Sequence, residues 1–159
     1  MNKIVIDLET TGFKSTDRIT EIGMIKFNHF GIVDLFHTHV DCLIKVPMEI
    51  EMLTGINNLI LNGFPQLKRI KNQILKFIGK SELYSYQAGF ESRFLRQEIG
   101  GFEVNDLLSP IKKKYKLDSY KLFDVSSEIL NYKLNNHSAL SDAFAGYLIY
   151  QDLHSSGLI

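Results

Sequence analysis

Cysteine is nearly absent: Cys42 is the single one in 159 residues. One thiol cannot close an intrachain disulfide, and a cysteine zinc cluster is excluded with it. A small buried side chain is the ordinary role of such a residue. Long hydrophobic runs are missing as well. No stretch approaches the ~18 apolar residues that a membrane-spanning helix needs. Only Ile4, Val5 and Ile6 precede Asp7, too few for a signal-peptide core. The expectation is a soluble, cytoplasmic protein with no membrane partner. Charge of one sign is also lacking, since 18 basic residues balance 18 acidic ones. Without a global field there is no broad electrostatic footprint for duplex DNA. Repeats, low-complexity tracts and linkers are absent, and the run "KKKY" (112–115) reads as a solvated face.

What is present is enough apolar and aromatic material, including eleven Phe and seven Tyr, for one domain with a real core over residues 1–159. Strands come first. "IVIDLE" (4–9) begins apolar and "TTGF" (10–13) supplies a glycine turn. "RITEIGMIKF" (18–27) alternates apolar and polar residues, "NHFG" (28–31) turns, and "IVDLFHTHV" (32–40) alternates again. That pattern predicts a three-strand antiparallel meander. "PMEIEMLTG" (47–55) reads as a short helix between Pro47 and Gly55. "FPQLKRIKNQILKFIG" (64–79) spaces its apolar residues as a helix ended by Gly79. "ELYSYQA" (82–88) is a fourth strand, "FESRFLRQEIGG" (90–101) a helix and "FEVNDLL" (102–108) a fifth strand. "SYKLFDVSSEIL" (119–130) and "DAFAGYLIYQDLH" (142–154) are amphipathic helices. The order predicts an α/β layered domain with a mixed sheet, the meander extended by parallel strands.

One strand breaks the burial rule. Asp7 and Glu9 project from one face of the first strand, roughly 7 Å apart at their α-carbons. Burying two like charges is costly without compensation. Glu91 follows the fourth strand near a helix start, Asp142 opens the last helix, and His137 lies five residues earlier in the polar loop "NNHSALSD" (135–142). If the first and fourth strands are neighbours, their carboxyl ends bring Asp7, Glu9 and Glu91 together, with Asp142 laid against them. Four carboxylates in one pocket are intelligible as cation ligands, and oxygen-rich sites suit Mg²⁺ and Mn²⁺. Two such ions about 4 Å apart form a recurring clamp for phosphodiester displacement. Taken singly, Asp142 reads as a helix cap, Glu91 as a solvated helix residue and His137 as a loop residue.

Three blocks resemble those of the DnaQ-like (DEDDh) 3′→5′ exonucleases, the family of the proofreading epsilon subunit of bacterial DNA polymerase III. "KIVIDLETTG" (3–12) resembles the first, a strand ending in D-x-E-T-T-G. "SYQAGFESRFL" (85–95) resembles the second, H-N-A-x-F-D-x-x-F-L, and "HSALSDA" (137–143) the third, H-x-A-x-x-D-A. The intervening segments fit in order, so the likeness covers nearly the whole chain. It implies a single ribonuclease H-like domain and hydrolysis from a 3′ end of single-stranded DNA or RNA, releasing nucleoside 5′-monophosphates. Asp7, Glu9, Glu91 and Asp142 become the ligands of two divalent ions, Mg²⁺ or Mn²⁺, and His137 the general base. By the same likeness, Thr10, Thr11, Gly12 and Phe13 form a loop against the terminal nucleotide, joined by Gln87.

The second block departs from the pattern. Glu91 stands where the family has Asp, and Tyr86-Gln87 where it has His-Asn. One extra methylene moves a carboxylate by roughly 1.5 Å. In the family this position serves the more loosely held metal, so an active enzyme is the leading expectation. Two other readings stand beside it: a catalytically silent nucleic-acid or protein-binding module, and an oligoribonuclease or RNA 3′-trimming enzyme. The ending "DLHSSGLI" (152–159) leaves no long tail of the kind that docks proofreading subunits on a polymerase, although polymerase association through the folded surface stays open. His37 and His39 share a strand face but show no third ligand, and Tyr86 reads as a packing residue.

Overall fold

The computed structural model describes residues 1–134 and 137–159; positions 135 and 136, which open the polar loop before His137, lie outside them. Ile4, Val5 and Ile6 are all buried, so β1 (Lys3–Thr10) is covered on both faces and sits inside the sheet. β2 (Ile19–Asn28) and β3 (Gly31–His39) complete an antiparallel meander with it. β4 (Glu82–Ser85) pairs with β1 in parallel, and β5 (Val104–Asp106) pairs with β4 in parallel. The five-stranded order is β3-β2-β1-β4-β5.

Seven helices complete the described chain: α1 (Met48–Thr54), α2 (Asn58–Leu61), α3 (Leu67–Ile78), α4 (Ala88–Glu98), α5 (Leu108–Lys114), α6 (Leu122–Leu130) and α7 (Ala139–Ser155). Side chains alternate across each strand, so the sheet builds two cores. Ile4, Ile6, Leu8, Ile22 and Met24 pack with Ile70, Ile74 and Ile78 of α3 and Phe94 and Leu95 of α4. Val5, Ile25 and Phe27 face the other way, onto Leu107, Ile111, Val125 and the α7 residues Ala143, Ile149, Tyr150 and Leu153.

Two glycines let α7 approach the sheet closely. A β-carbon on Gly146 would lie 2.7 Å from Val5 Cγ1, and one on Gly23 would lie 2.3 Å from the Ala139 carbonyl. The amino end of α7 is therefore pressed onto the middle of β2.

The differences from the sequence reading have physical causes. Alternation in "RITEIGMIKF" suggested one solvated face, yet Thr20 and Glu21 are buried, because β3 flanks β2 and α7 covers it. Helix α5 runs through Pro110, which is tolerated because a first-turn residue needs no amide donor. Its run of lysines is not wholly solvated: Lys114 Nζ donates to Asp152 Oδ2 at 2.6 Å. α7 begins at Ala139, so Asp142 is the helix's fourth residue and Ser138 holds the cap position. Cys42 is buried with Val46, Ile56 and Leu61.

Candidate active site

The carboxyl ends of β1 and β4 open into a cleft of about 660 Å³. Asp7 and Glu9 reach it from the α7-facing side of β1, where the ladder sets Asp7 opposite Gly23 and Glu9 opposite Glu21. β4 hands the chain to α4, whose first turn carries Glu91 inward, fully buried. α7 contributes Asp142 from its first turn, and the turn just before it contributes His137. The His137 backbone is left-handed, with φ 36°, a conformation that costs a non-glycine residue about 1 kcal/mol. Glu9, His137 and Asp142 offer ligand atoms that all lie within 4.8 Å of one another. Asp7 and Glu91 line the same cleft outside that trio.

The electrostatics follow from the crowding. Burial first, then the charges of Glu91, Asp142, Glu9 and Glu21, hold the Asp7 carboxyl well above the ordinary carboxylate range. Glu9 is pushed up to about 8 by burial and by Asp142, Glu21 and Glu91. Asp142 is pushed up to about 7 by burial and then Glu21. Glu91 also reaches about 7, because burial outweighs the lowering effect of the Ser85 hydroxyl. Glu91 Oε2 and Asp142 Oδ1 are buried without a hydrogen-bond partner among the described residues. Carboxylates that raise one another's pKa and leave oxygens unpaired match a site built for positive charge. An all-oxygen acidic set with one imidazole fits hard divalent cations.

The remaining residues sort by position. Thr10, Gly12, Phe13 and Gln87 line the cleft. Phe13 is 72% exposed and meets Phe90 edge-on at 5.7 Å between ring centroids. Thr11 does not reach the cleft: its hydroxyl donates to Asp17 Oδ1 at 3.1 Å and accepts the Arg18 amide at 3.0 Å, which fixes the loop. Tyr86 is buried and donates to the Tyr120 carbonyl at 2.8 Å, a packing role. His37 and His39 do share a face, with ring centroids 5.7 Å apart. The sequence reading passed over the apolar wall made by Ile50, Leu53, Leu122 and Phe123. It also passed over Glu21, whose one signal is an acidic residue inside an otherwise apolar strand.

A mixed sheet in this order, with acidic groups gathered near the carboxyl ends of β1 and β4, is the ribonuclease H-like fold. Solved structures agree on the fold. The nuclease domain of 3′hExo, described as a DEDDh family member bound to rAMP, superposes with a TM-score of 0.81 at 16% identity, over 99% of this chain and 93% of that one. A zinc-bound E. coli ExoI–ssDNA complex gives 0.84 at 15% identity, over 97% of this chain and 40% of that one. The chain belongs to the RNase T exonuclease family, whose model matches residues 4–150. Among sequence relatives, a PolC-type DNA polymerase III of Clostridium perfringens is 32% identical over 151 residues, 89% of this chain and 10% of that protein. The DNA polymerase III epsilon subunit of Rickettsia prowazekii is 28% identical over 159 residues, 90% of this chain and 69% of that protein. The chain spans about a tenth of the length of the PolC relatives. No helix among the described residues is long and apolar enough to cross a membrane.

Proposed function

We propose that this protein hydrolyses the last phosphodiester bond at the 3′ end of single-stranded DNA or RNA and releases nucleoside 5′-monophosphates. One observation carries the reading: three distant segments deliver Asp7, Glu9, Glu91, His137 and Asp142 to a single cleft. Asp7, Glu9, Glu91 and Asp142 would hold two divalent ions, Mg²⁺ or Mn²⁺, which supply charge neutralisation at the phosphate and acidify a water. His137, exposed at the cleft beside Glu9 and Asp142, takes the proton of the water that attacks the terminal phosphorus. The water oxygen bonds to phosphorus, the bond to the preceding 3′ oxygen breaks, and that oxygen leaves as a hydroxyl after protonation. Phe13 and Phe90, facing the wall of Ile50, Leu53 and Phe123, offer apolar surface for unpaired bases. Stacking of that kind is worth about 1–3 kcal/mol per base and tolerates any sequence. Thr10, Gly12 and Gln87 line the same cleft.

Structural neighbours were solved with rAMP and with single-stranded DNA, and the proposed substrate range includes both sugar types. Partners are therefore 3′ ends of either kind, in a cytoplasmic setting. Contact with a replicative polymerase, prompted by the polymerase III names of the relatives, is a separate proposal for co-purification to test. The direct experiment follows a 5′-labelled DNA oligonucleotide and its RNA counterpart with Mg²⁺, with Mn²⁺ and with EDTA. A ladder shortening from the 3′ end with either ion and stopped by EDTA is expected, and His137→Ala should slow it about 10²-fold. No shortening of either substrate would leave a binding module in place of an enzyme.

A further inference from the structure

The α7-facing side of the meander carries one more charged group than the proposed chemistry uses. Glu21 is 2% exposed and stands directly opposite Glu9 in the β1–β2 ladder. Like charges in that relation are destabilising, and a buried carboxylate needs partners. Its partners, His37 and Ser138, are not among the residues that line the cleft. Glu21 Oε1 accepts from His37 Nε2 at 2.6 Å and from the Ser138 hydroxyl at 3.3 Å. Glu21 falls outside the three-residue ligand trio.

Ser138 is the informative partner. It occupies the cap position of α7, where a serine ordinarily turns its hydroxyl back onto the helix's free amides. Here it makes no side-chain cap bond and the hydroxyl points to Glu21. Its neighbours on the chain are His137, in left-handed backbone, and Ala139, pressed onto Gly23. Its own carbonyl accepts the Asp142 amide at 2.9 Å. One residue thus links the proposed base, the proposed α7 ligand and β2. A local rule broken at such a point is a mark of function.

Taking the exonuclease reading as given, we infer that Glu21 and Ser138 are positioning residues. Their hydrogen bond seats the turn before α7 so that His137 and Asp142 meet Glu9 across the cleft. His37 holds the Glu21 carboxylate from the other side, and Gly23 leaves the room for the seat. Neither Glu21 nor Ser138 touches substrate in this scheme.

The test uses Ser138→Ala, Ser138→Thr, Ser138→Asp, Glu21→Ala and the Glu21→Ala/Ser138→Ala pair in the full chain. Ser138→Ala should lower kcat about 10-fold with KM for the oligonucleotide within about twofold, because misplaced groups cost rate more than binding. Ser138→Thr, which keeps the hydroxyl, should stay within about threefold of wild type. Ser138→Asp separates the seat from an ordinary cap. Aspartate caps helices as well as serine does, yet it sets a second carboxylate against Glu21, so it should be worse than Ser138→Ala. The pair should lose no more than Glu21→Ala alone, the non-additivity expected of one shared contact. Independently of turnover, amide hydrogen exchange at Asp142 in the metal-free protein should quicken about 10-fold in Ser138→Ala. If wild type cleaves but Ser138→Ala leaves kcat and exchange unchanged, or Ser138→Asp matches wild type, the seat is overturned. If wild type does not cleave, the exchange rates alone decide the seat, and the failure belongs to the exonuclease reading.

Discussion

The two faces of β1 and β2 are built from alternate residues of the same two strands, and they obey opposite rules. On the side of α3 and α4, Ile4, Ile6, Leu8, Ile22 and Met24 form continuous apolar packing. On the side of α7, the apolar rows stop after Val5 and Ile25, and the next rows hold Asp7 with Gly23 and Glu9 with Glu21. One face stores stability and the other spends part of it. The contrast shows how a parallel-strand carboxyl end becomes a site: the strand order fixes the backbone, and only the side-chain parity decides which face becomes polar.

Asp7→Asn should break the comparison most sharply. It removes one charge from the crowded face without changing shape. Turnover should fall by at least about 10²–10³-fold, the scale of losing a group that stabilises developing charge. The metal-free thermal midpoint should rise by a few degrees, because desolvation and repulsion raise the Asp7 pKa and the amide relieves both. Wild-type turnover in this variant would remove Asp7 from the chemistry. On the opposite face, Ile22→Ala removes a fully buried side chain and should cost about 2–5 kcal/mol. The folded fraction should keep its kcat, measurable by denaturant titration beside active-site-normalised turnover. A kcat loss matching the stability loss would show that the two faces are not separable.

The acidic face also makes a pH prediction opposite to that of most proteins. Groups whose folded pKa is raised above the unfolded one stabilise the fold at low pH and lose that contribution as pH rises. Here the folded values are about 8 for Glu9 and about 7 for Glu91 and Asp142, against 4.5, 4.5 and 3.8 for the free side chains. In EDTA, therefore, the thermal midpoint should fall between about pH 4.5 and pH 8. Adding Mg²⁺ or Mn²⁺ should restore it at the alkaline end, because a ligand of the folded state alone stabilises it. A midpoint that climbs with pH in EDTA, or ignores both ions at pH 8, would contradict an acidic site made for cations.

This contrast explains what the sequence could disclose. Asp7 and Glu9 were legible because strand parity puts both on one face, and the third block placed His137 and Asp142 five residues apart at a helix start. The antiparallel meander and the parallel neighbours β4 and β5 were legible from alternation and order. Glu21 was not, because alternation assigns a polar strand residue to solvent, and only the seating of α7 against Gly23 buries it. Thr11 is a different case. The resemblance grouped it with Thr10, Gly12 and Phe13 as one loop, and the bonds of its hydroxyl to Asp17 and Arg18 fix that loop. Pro110 concealed α5, since a proline is a helix stop everywhere except in a first turn.

Glu91→Asp sharpens the comparison with the smallest expected effect. Glu91 sits in the first turn of α4, buried, with Oε2 unpartnered. Shortening the arm draws the carboxylate back by roughly 1.5 Å and restores the residue type usual in the family. Mg²⁺ demands near-octahedral geometry, whereas a looser ion tolerates a displaced oxygen. The expected outcome is a change in turnover of less than about 10-fold and a shift in the Mg²⁺-to-Mn²⁺ rate ratio, with the metal-free midpoint within a few degrees. A loss as deep as that of Asp7→Asn would mean that the cleft is fitted to the longer arm. In that case the glutamate is a working part of this enzyme's geometry, and the Ser85 hydroxyl beside it, which lowers its pKa against the effect of burial, becomes the next residue to change.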